Sequence, residues 1–175
     1  MTKKKVLLLS PTGLDKQGLP IIQKKTYLPG LTMIQLATYT PKDKFDIKVV
    51  SETSEPIPWD EHWDIVALTG MGGAGVIRAY QLGDEFKKRG SVVVMGGIAI
   101  SLFKDTQTLP HCDVIITGEA EETWPRFLED YLAGSYLQKY TMLKTPDVTS
   151  FPTPDYSYFN KKYYGFWRPV QATRG

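Results

Sequence analysis

The stretch from Asp64 to Gly97 constrains the fold most. Asp64-Ile65-Val66-Ala67-Leu68-Thr69 is a continuous apolar run, too short for a lone helix and rich in strand formers. A glycine-rich turn, Gly70-Met71-Gly72-Gly73-Ala74-Gly75, follows it, and Val76, Ala79, Tyr80 and Phe86 then recur at helical spacing. Lys87, Lys88 and Arg89 occupy the last turn of that helix and Gly90 stands just beyond it, as dipole and capping physics favour. Ser91-Val92-Val93-Val94-Met95 is a second apolar strand, ending in Gly96-Gly97. Two strands buried on both faces and joined by a helix make a right-handed βαβ unit of a parallel sheet. Ligands of open α/β sheets bind at the carboxyl edge, so the glycines after both strands mark where to look.

The rest of the chain repeats the alternation. Lys4 to Ser10 is strand one, Pro29 to Tyr39 a helix with Leu31, Ile34, Leu36 and Ala37 as buried candidates, and Phe45 to Val50 strand two. Ile98 to Lys104 reads as a short helix and Asp113 to Thr117 as strand five. A last helix is expected with Thr123 as its cap, Pro125 in its first turn and Gly134 at its end. The expected fold class is α/β: a doubly wound, five-stranded parallel sheet in the order 2-1-3-4-5, flavodoxin-like (Rossmann-like), with its crevice between strands one and three. Residues 1–134 form this domain. Residues 135–175 are an irregular extension, interrupted by Pro146, Pro152 and Pro154 and dense in tyrosine and phenylalanine. Within it, Tyr136 to Leu143 could add an edge strand, the aromatic segment reads as a strap across a surface, and Pro169 to Gly175 starts like another strand.

Several function classes are excluded or disfavoured. A formal net charge of +2 in 175 residues implies no nucleic-acid partner. No run approaches the ~18 apolar residues of a membrane span, and Val6 to Leu9 is too short for a signal peptide. The single cysteine, Cys112, excludes an internal disulfide and reads as a small buried hydrophobe. A cytoplasmic protein is the default expectation. His62, His111 and Cys112 do not share a metal-ligand spacing. Glu119, Glu121 and Glu122 at a helix start complement its dipole rather than form an acid–base pair. Gly70, Gly72 and Gly75 satisfy G-x-G-x-x-G, but after the third strand and without the acidic residue that a dinucleotide site needs at the end of the next strand. The loop's free amides suit a phosphate or a planar ligand. Ser10-Pro11-Thr12-Gly13 is similar to the hydroxyl-rich phosphate loop of flavodoxins.

The order of these elements resembles a known family. It is carried by Val6-Leu7-Leu8-Leu9-Ser10-Pro11, the helix Leu31 to Tyr39, Gly96-Gly97-Ile98, Gly118-Glu119-Ala120-Glu121-Glu122-Thr123-Trp124, Phe151-Pro152-Thr153-Pro154-Asp155 and Ala172-Thr173-Arg174-Gly175. Together they look like the N-terminal cobalamin-binding domain of cobalamin-dependent radical S-adenosylmethionine enzymes, the group of anaerobic magnesium-protoporphyrin monomethyl ester cyclases and many methyltransferases. In that family Thr-Arg-Gly is followed at once by three cysteines that ligate a [4Fe–4S] cluster. The resemblance therefore implies a piece cut at a domain boundary. The cluster, S-adenosylmethionine and the catalytic radical SAM domain would belong to the missing part, and this piece alone would have no turnover.

Cobalamin domains carry Asp-x-His-x-x-Gly after strand one, Ser-x-Leu after strand three and Gly-Gly after strand four. Thr69-Gly70-Met71 and Gly96-Gly97 stand at the second and third. At the first, Asp15-Lys16-Gln17 puts Gln17 in the histidine position, and Pro20 replaces the glycine. The resemblance thus implies a corrinoid bound base-off with no histidine below cobalt and no metal ligand from this chain. It implies contacts from Ser10, Thr12, Gly13, Asp15, Gln17, Thr69, Gly70, Met71, Gly72, Gly73, Gly96, Gly97, Ile98, Gly118 and Glu119. The nucleotide tail would thread between sheet and helix, where Gly96-Gly97 leave room. Two alternatives stand beside it: a flavodoxin-like electron carrier using flavin mononucleotide, and a domain that keeps the fold as an interaction surface without the ligand.

Overall fold

A computed structural model describes residues 2–70, 72–144, 147, 149, 151–165 and 168–170, with backbone alone at 73 and 74. Its elements, in chain order, are β1 (Lys4–Ser10), α1 (Thr32–Tyr39), β2 (Phe45–Ser51), β3 (Ile65–Thr69), α2 (Gly72–Lys88), β4 (Val92–Gly96), α3 (Ile98–Leu102), α4 (Asp105–Thr108), β5 (Val114–Thr117), α5 (Ala120–Leu132) and β6 (Lys139–Thr141). The strands form one parallel sheet in the order β2-β1-β3-β4-β5-β6. The expected order holds for the first five, and a sixth strand extends the far edge. Ile115 to Thr117 pair with Lys139 to Thr141. Tyr140, 2% exposed, anchors that short strand against α5, meeting Phe127 edge-on at 5.8 Å. Its hydroxyl donates to Asp130 at 2.7 Å and accepts the amide of Leu137.

The two faces of the sheet follow the alternation of strand side chains. Val6, Leu8, Ala67, Val94 and Ile116 point to the face covered by α1 and α5, together with Ile34, Ala37, Trp124 and Phe127. Leu7, Leu9, Val66, Leu68, Val93 and Met95 point to the other face, under Val76, Ala79, Leu82 and Phe86 of α2. Cys112 is buried in that second layer. Among the described residues no helix is long and apolar enough to cross a membrane.

Two helix starts differ from the sequence reading. α2 begins at Gly72, so Gly72, Gly73 and Gly75 lie in its first turn rather than in a loop. α5 begins at Ala120 behind Glu119, which puts Thr123 and Pro125 inside the helix. The hydroxyl of Thr123 bonds back to the Glu119 carbonyl at 3.3 Å instead of capping. Pro125 is the sixth residue of α5, past the amides that lack intrahelical partners, so its ring removes one backbone hydrogen bond from the helix. Leu132, the last residue of α5, is exposed.

Among the described residues of the extension, Pro152 and Asp155 lie against α1 and the loop after it. Asp155 takes Lys42 at 2.7 Å, its amide donates to Thr38 at 2.9 Å, and Gln35 donates to the Pro152 carbonyl at 3.4 Å. Further on, Tyr164 pairs with Thr26 in an isolated parallel bridge and stacks on Phe159 at 4.3 Å. Pro146, Trp167 and the strand-like start ahead of Gly175, with Ala172-Thr173-Arg174-Gly175, lie wholly or partly outside the described residues.

Candidate functional site

Each helix of the sheet follows a particular strand, and this creates a gap. α1 and α5 cover one face, whereas the connections from β3 through α2 to β4 and from β4 to β5 begin on the other. Over the ends of β3, β4 and β5 the α1/α5 face carries the small residues Ala67 and Gly96 between Val94 and Ile116. A cavity of about 390 Å³ opens there, between α1, α5 and the carboxyl edge. That volume is within the ~300–1,000 Å³ of small-molecule pockets. Leu36, Ala67, Val94, Ile116 and Trp124, all buried, line its deep part, and the exposed Thr32, Ile98 and Ser101 lie at its mouth. Gly118, Glu119 and Glu121 line the α5 side.

Thr69 ends β3 at this cavity. It is 5% exposed, and its hydroxyl oxygen is buried without a hydrogen-bond partner. Buried polar atoms are nearly always satisfied, so an orphan in a cavity wall points to a ligand group. Gly97 keeps this hydroxyl clear. It adopts φ +100°, and an added Cβ would stand 2.9 Å from the Thr69 oxygen and 3.1 Å from the Gly70 carbonyl. Gly70 is equally tight against Ile100. The Trp124 indole is already committed, donating to Thr40 at 2.9 Å.

The expected residues divide between three places. Thr69, Gly96, Gly97, Ile98, Gly118 and Glu119 meet at the cavity. Gly70 sits immediately behind it, Gly72 and Gly73 lie in the α2 start, and Met71 falls outside the described residues. Ser10 lines a second cavity of about 450 Å³, with Thr26, Ser51, Thr53, Phe159 and Tyr164. The expected crevice between β1 and β3 is thus replaced by two cavities flanking it, and Met33 of α1 lines both.

The group Thr12, Gly13, Asp15 and Gln17 does not line either cavity. It folds into a hairpin closed by the Leu14–Pro20 bridge and by Ile21 donating to the Gly13 carbonyl at 2.9 Å. Asp15 accepts the amides of Gln17 and Leu19, both at 2.9 Å, which leaves Gln17 exposed at the tip. Thr12 is buried. Its hydroxyl donates to the Ile21 carbonyl at 2.7 Å and its amide to Glu52 at 3.0 Å, so it is not a free phosphate ligand. Glu52 in turn takes Arg78 of α2 at 2.9 Å, clamping this loop to the helix.

Sequence reading missed Met33, Gln35, Tyr39 and Trp124 as cavity residues. Apolar positions on a helix face carry the same periodicity whether they fill a core or line a hole. Both histidines lie at the opposite edge, His62 ahead of β3 and His111 ahead of β5. His111 meets Asp84 at 2.9 Å and stacks on Tyr80. Among the described residues no three His, Cys, Asp or Glu side chains gather into a metal-holding group.

No protein-family model matches the chain. It is similar to the Bacteriochlorophyllide d C-12(1)-methyltransferase of Chlorobaculum tepidum, 29% identical over 180 residues that include 99% of this chain and 38% of that protein. It is 32% identical to the Bacteriochlorophyllide d C-8(2)-methyltransferase of the same organism over 122 residues, 70% of this chain and 27% of that protein. An uncharacterised methyltransferase of Synechocystis is 27% identical over 159 residues, 90% of this chain and 29% of that protein. The chain thus spans between about a quarter and two-fifths of the length of these relatives. The similarity relates it, at low identity, to methyltransferases.

Proposed function

We propose that this chain is the cobalamin-binding portion of a methyltransferase of the radical S-adenosylmethionine type. The observation that carries the reading is the carboxyl-edge cavity, with an orphaned hydroxyl at Thr69 and a Gly96-Gly97 wall that any side chain at Gly97 would obstruct. These residues fit the nucleotide tail of a corrinoid. The cavity is large enough for a nucleoside-sized group and too small for a whole corrinoid, which would leave the macrocycle above the mouth. Cobalamin, when bound, supplies a cobalt that carries a methyl group. The chain's own residues hold the tail: Gly96 and Gly97 admit it, Leu36, Val94, Ile116 and Trp124 exclude water around it, and Thr69 offers it a hydrogen bond.

No histidine of this chain is at hand to ligate cobalt from below, because Gln17 is exposed at a hairpin tip and both histidines sit at the far edge. With the tail in the cavity, the lower base would be off the cobalt and no histidine of this chain would replace it. By likeness to the relatives, the whole protein's reaction would be methyl transfer to carbon on a tetrapyrrole of the bacteriochlorophyllide kind. The [4Fe–4S] cluster and S-adenosylmethionine would be held by a radical SAM domain acting as partner. The test is to mix the purified chain with hydroxocobalamin, desalt it and record the visible spectrum. Retained corrinoid with a base-off spectrum is expected, and loss of all colour would refute the reading.

A further inference from the structure

We infer that the second cavity, beside Ser10 and Tyr164, holds the carboxylate arm of an apolar ring molecule, the substrate that accepts the methyl group. This rests on the tetrapyrrole reading proposed above and gives this chain a part in binding the substrate's acid group. The cavity, of about 450 Å³, lies at the carboxyl ends of β1 and β2. Leu28, Met33 and Val49 give it apolar walls, and Tyr27, Phe159 and Tyr164 add aromatic rings. The Ser10 hydroxyl and the Gln23 side-chain amide also line it, and neither has a hydrogen-bond partner among the described residues.

Four lysines flank this cavity. Lys24 and Lys25 stand between Gln23 and Thr26 in the chain, and Lys161 and Lys162 between Phe159 and Tyr164; those four bounding residues all line the cavity. The two segments are joined, since the Thr26 amide donates to the Tyr163 carbonyl at 2.8 Å and the Gly165 amide to the Thr26 carbonyl at 3.0 Å. Lys24, Lys161 and Lys162 are exposed and Lys25 is half-buried. Among the described residues none of the four is ion-paired with a carboxylate. The acids of neighbouring segments are committed elsewhere, Glu52 to Arg78 and Asp155 to Lys42. Glu55, beside Tyr164, is 7% exposed, and burial raises its carboxyl above the usual range, which favours the neutral form. Uncompensated positive charge at the rim of a largely apolar pocket attracts an anion with an apolar body. Met33 lines both cavities, so a ring held here by its acid lies beside the mouth of the first.

The experiment is a fluorescence titration of the chain with pyropheophorbide a, a chlorin with one carboxyl group, and with its methyl ester, both in the same dilute detergent. The acid should bind about tenfold more tightly than the ester, and the difference should shrink as salt is raised. Replacing both Lys161→Gln and Lys162→Gln, on an exposed turn, should bring the acid's affinity down to that of the ester. Equal binding of acid and ester by the unmodified chain would overturn the inference, and that comparison does not depend on any variant folding. Displacement of the chlorin by hydroxocobalamin would also overturn it, by assigning the cavity to the corrinoid and its phosphate. Preference for the acid in a chain that retains no hydroxocobalamin would support this site and refute the cobalamin reading alone.

Discussion

Gly97→Ala tests the geometry of the site without any ligand. At φ +100° and ψ 170° the residue occupies a conformation that L side chains rarely adopt. Forcing alanine there costs ~1–3 kcal/mol of backbone strain. The new Cβ would also stand 2.9 Å from the Thr69 oxygen, 3.1 Å from the Gly70 carbonyl oxygen and 3.3 Å from the Gly70 amide, and two of these are backbone atoms that cannot swing aside. Overpacking of this kind adds ~1–3 kcal/mol, against ~0.4–1 kcal/mol recovered from the stiffer unfolded chain. A net loss of about 2–4 kcal/mol is expected. For a chain of this size that corresponds to a fall in Tm of roughly 5–15 °C. The assay is thermal and urea denaturation followed by circular dichroism. Gly75→Ala is the control: it lies within α2 with nothing within 4 Å of the added Cβ, and should stabilise by about 0.5–1 kcal/mol. A Gly97→Ala variant within about 0.5 kcal/mol of the parent would refute the tight-wall reasoning.

Three further outcomes follow from individual contacts. Arg78→Met leaves the buried Glu52 carboxylate without its cation and should cost about 3 kcal/mol in urea denaturation; adding Glu52→Gln should restore much of it. The hydrogen bond from Lys42 holds the Asp155 carboxyl down at about 2, so the strap's attachment to α1 is fully present above about pH 4 and weakens as pH falls toward 2. Carboxyl NMR titration should show that low midpoint, and Lys42→Ala should return it toward the model-peptide value of ~3.9. Burial pushes the Cys112 thiol up to about 12, so a thiol reagent at pH 8 should label it only in the unfolded chain.

Much of the fold was legible because parallel strands buried on both faces read as unbroken apolar runs, such as Val6 to Leu9 and Ile65 to Leu68. The glycines that end β4 and precede α5 marked half of the cavity for the same reason, since a chain that must turn tightly at a sheet edge shows it in sequence. The start of α2 was hidden because Gly72 to Gly75 discourage a helix locally, yet Val76, Ala79 and Leu82 pack it onto the sheet and extend it backward. β6 is faint in the sequence because three residues carry no period, and Tyr140 is fixed by tertiary packing. Asp15 closes its own turn by accepting the Gln17 and Leu19 amides, a local hydrogen-bonding habit of aspartate that spacing alone does not reveal. The cavity itself is the absence of a helix over β3 and β4, which no single segment encodes.

The central claim is that the space between α1 and α5 holds the tail of a corrinoid. A crystal structure of the chain grown with hydroxocobalamin tests it most directly. The lower base should lie beside Gly97, within hydrogen-bond distance of the Thr69 hydroxyl, with cobalt lacking any histidine from this chain. A corrinoid lying instead in the cavity beside Ser10 and Tyr164, or one bound with the space between α1 and α5 unfilled, would contradict it.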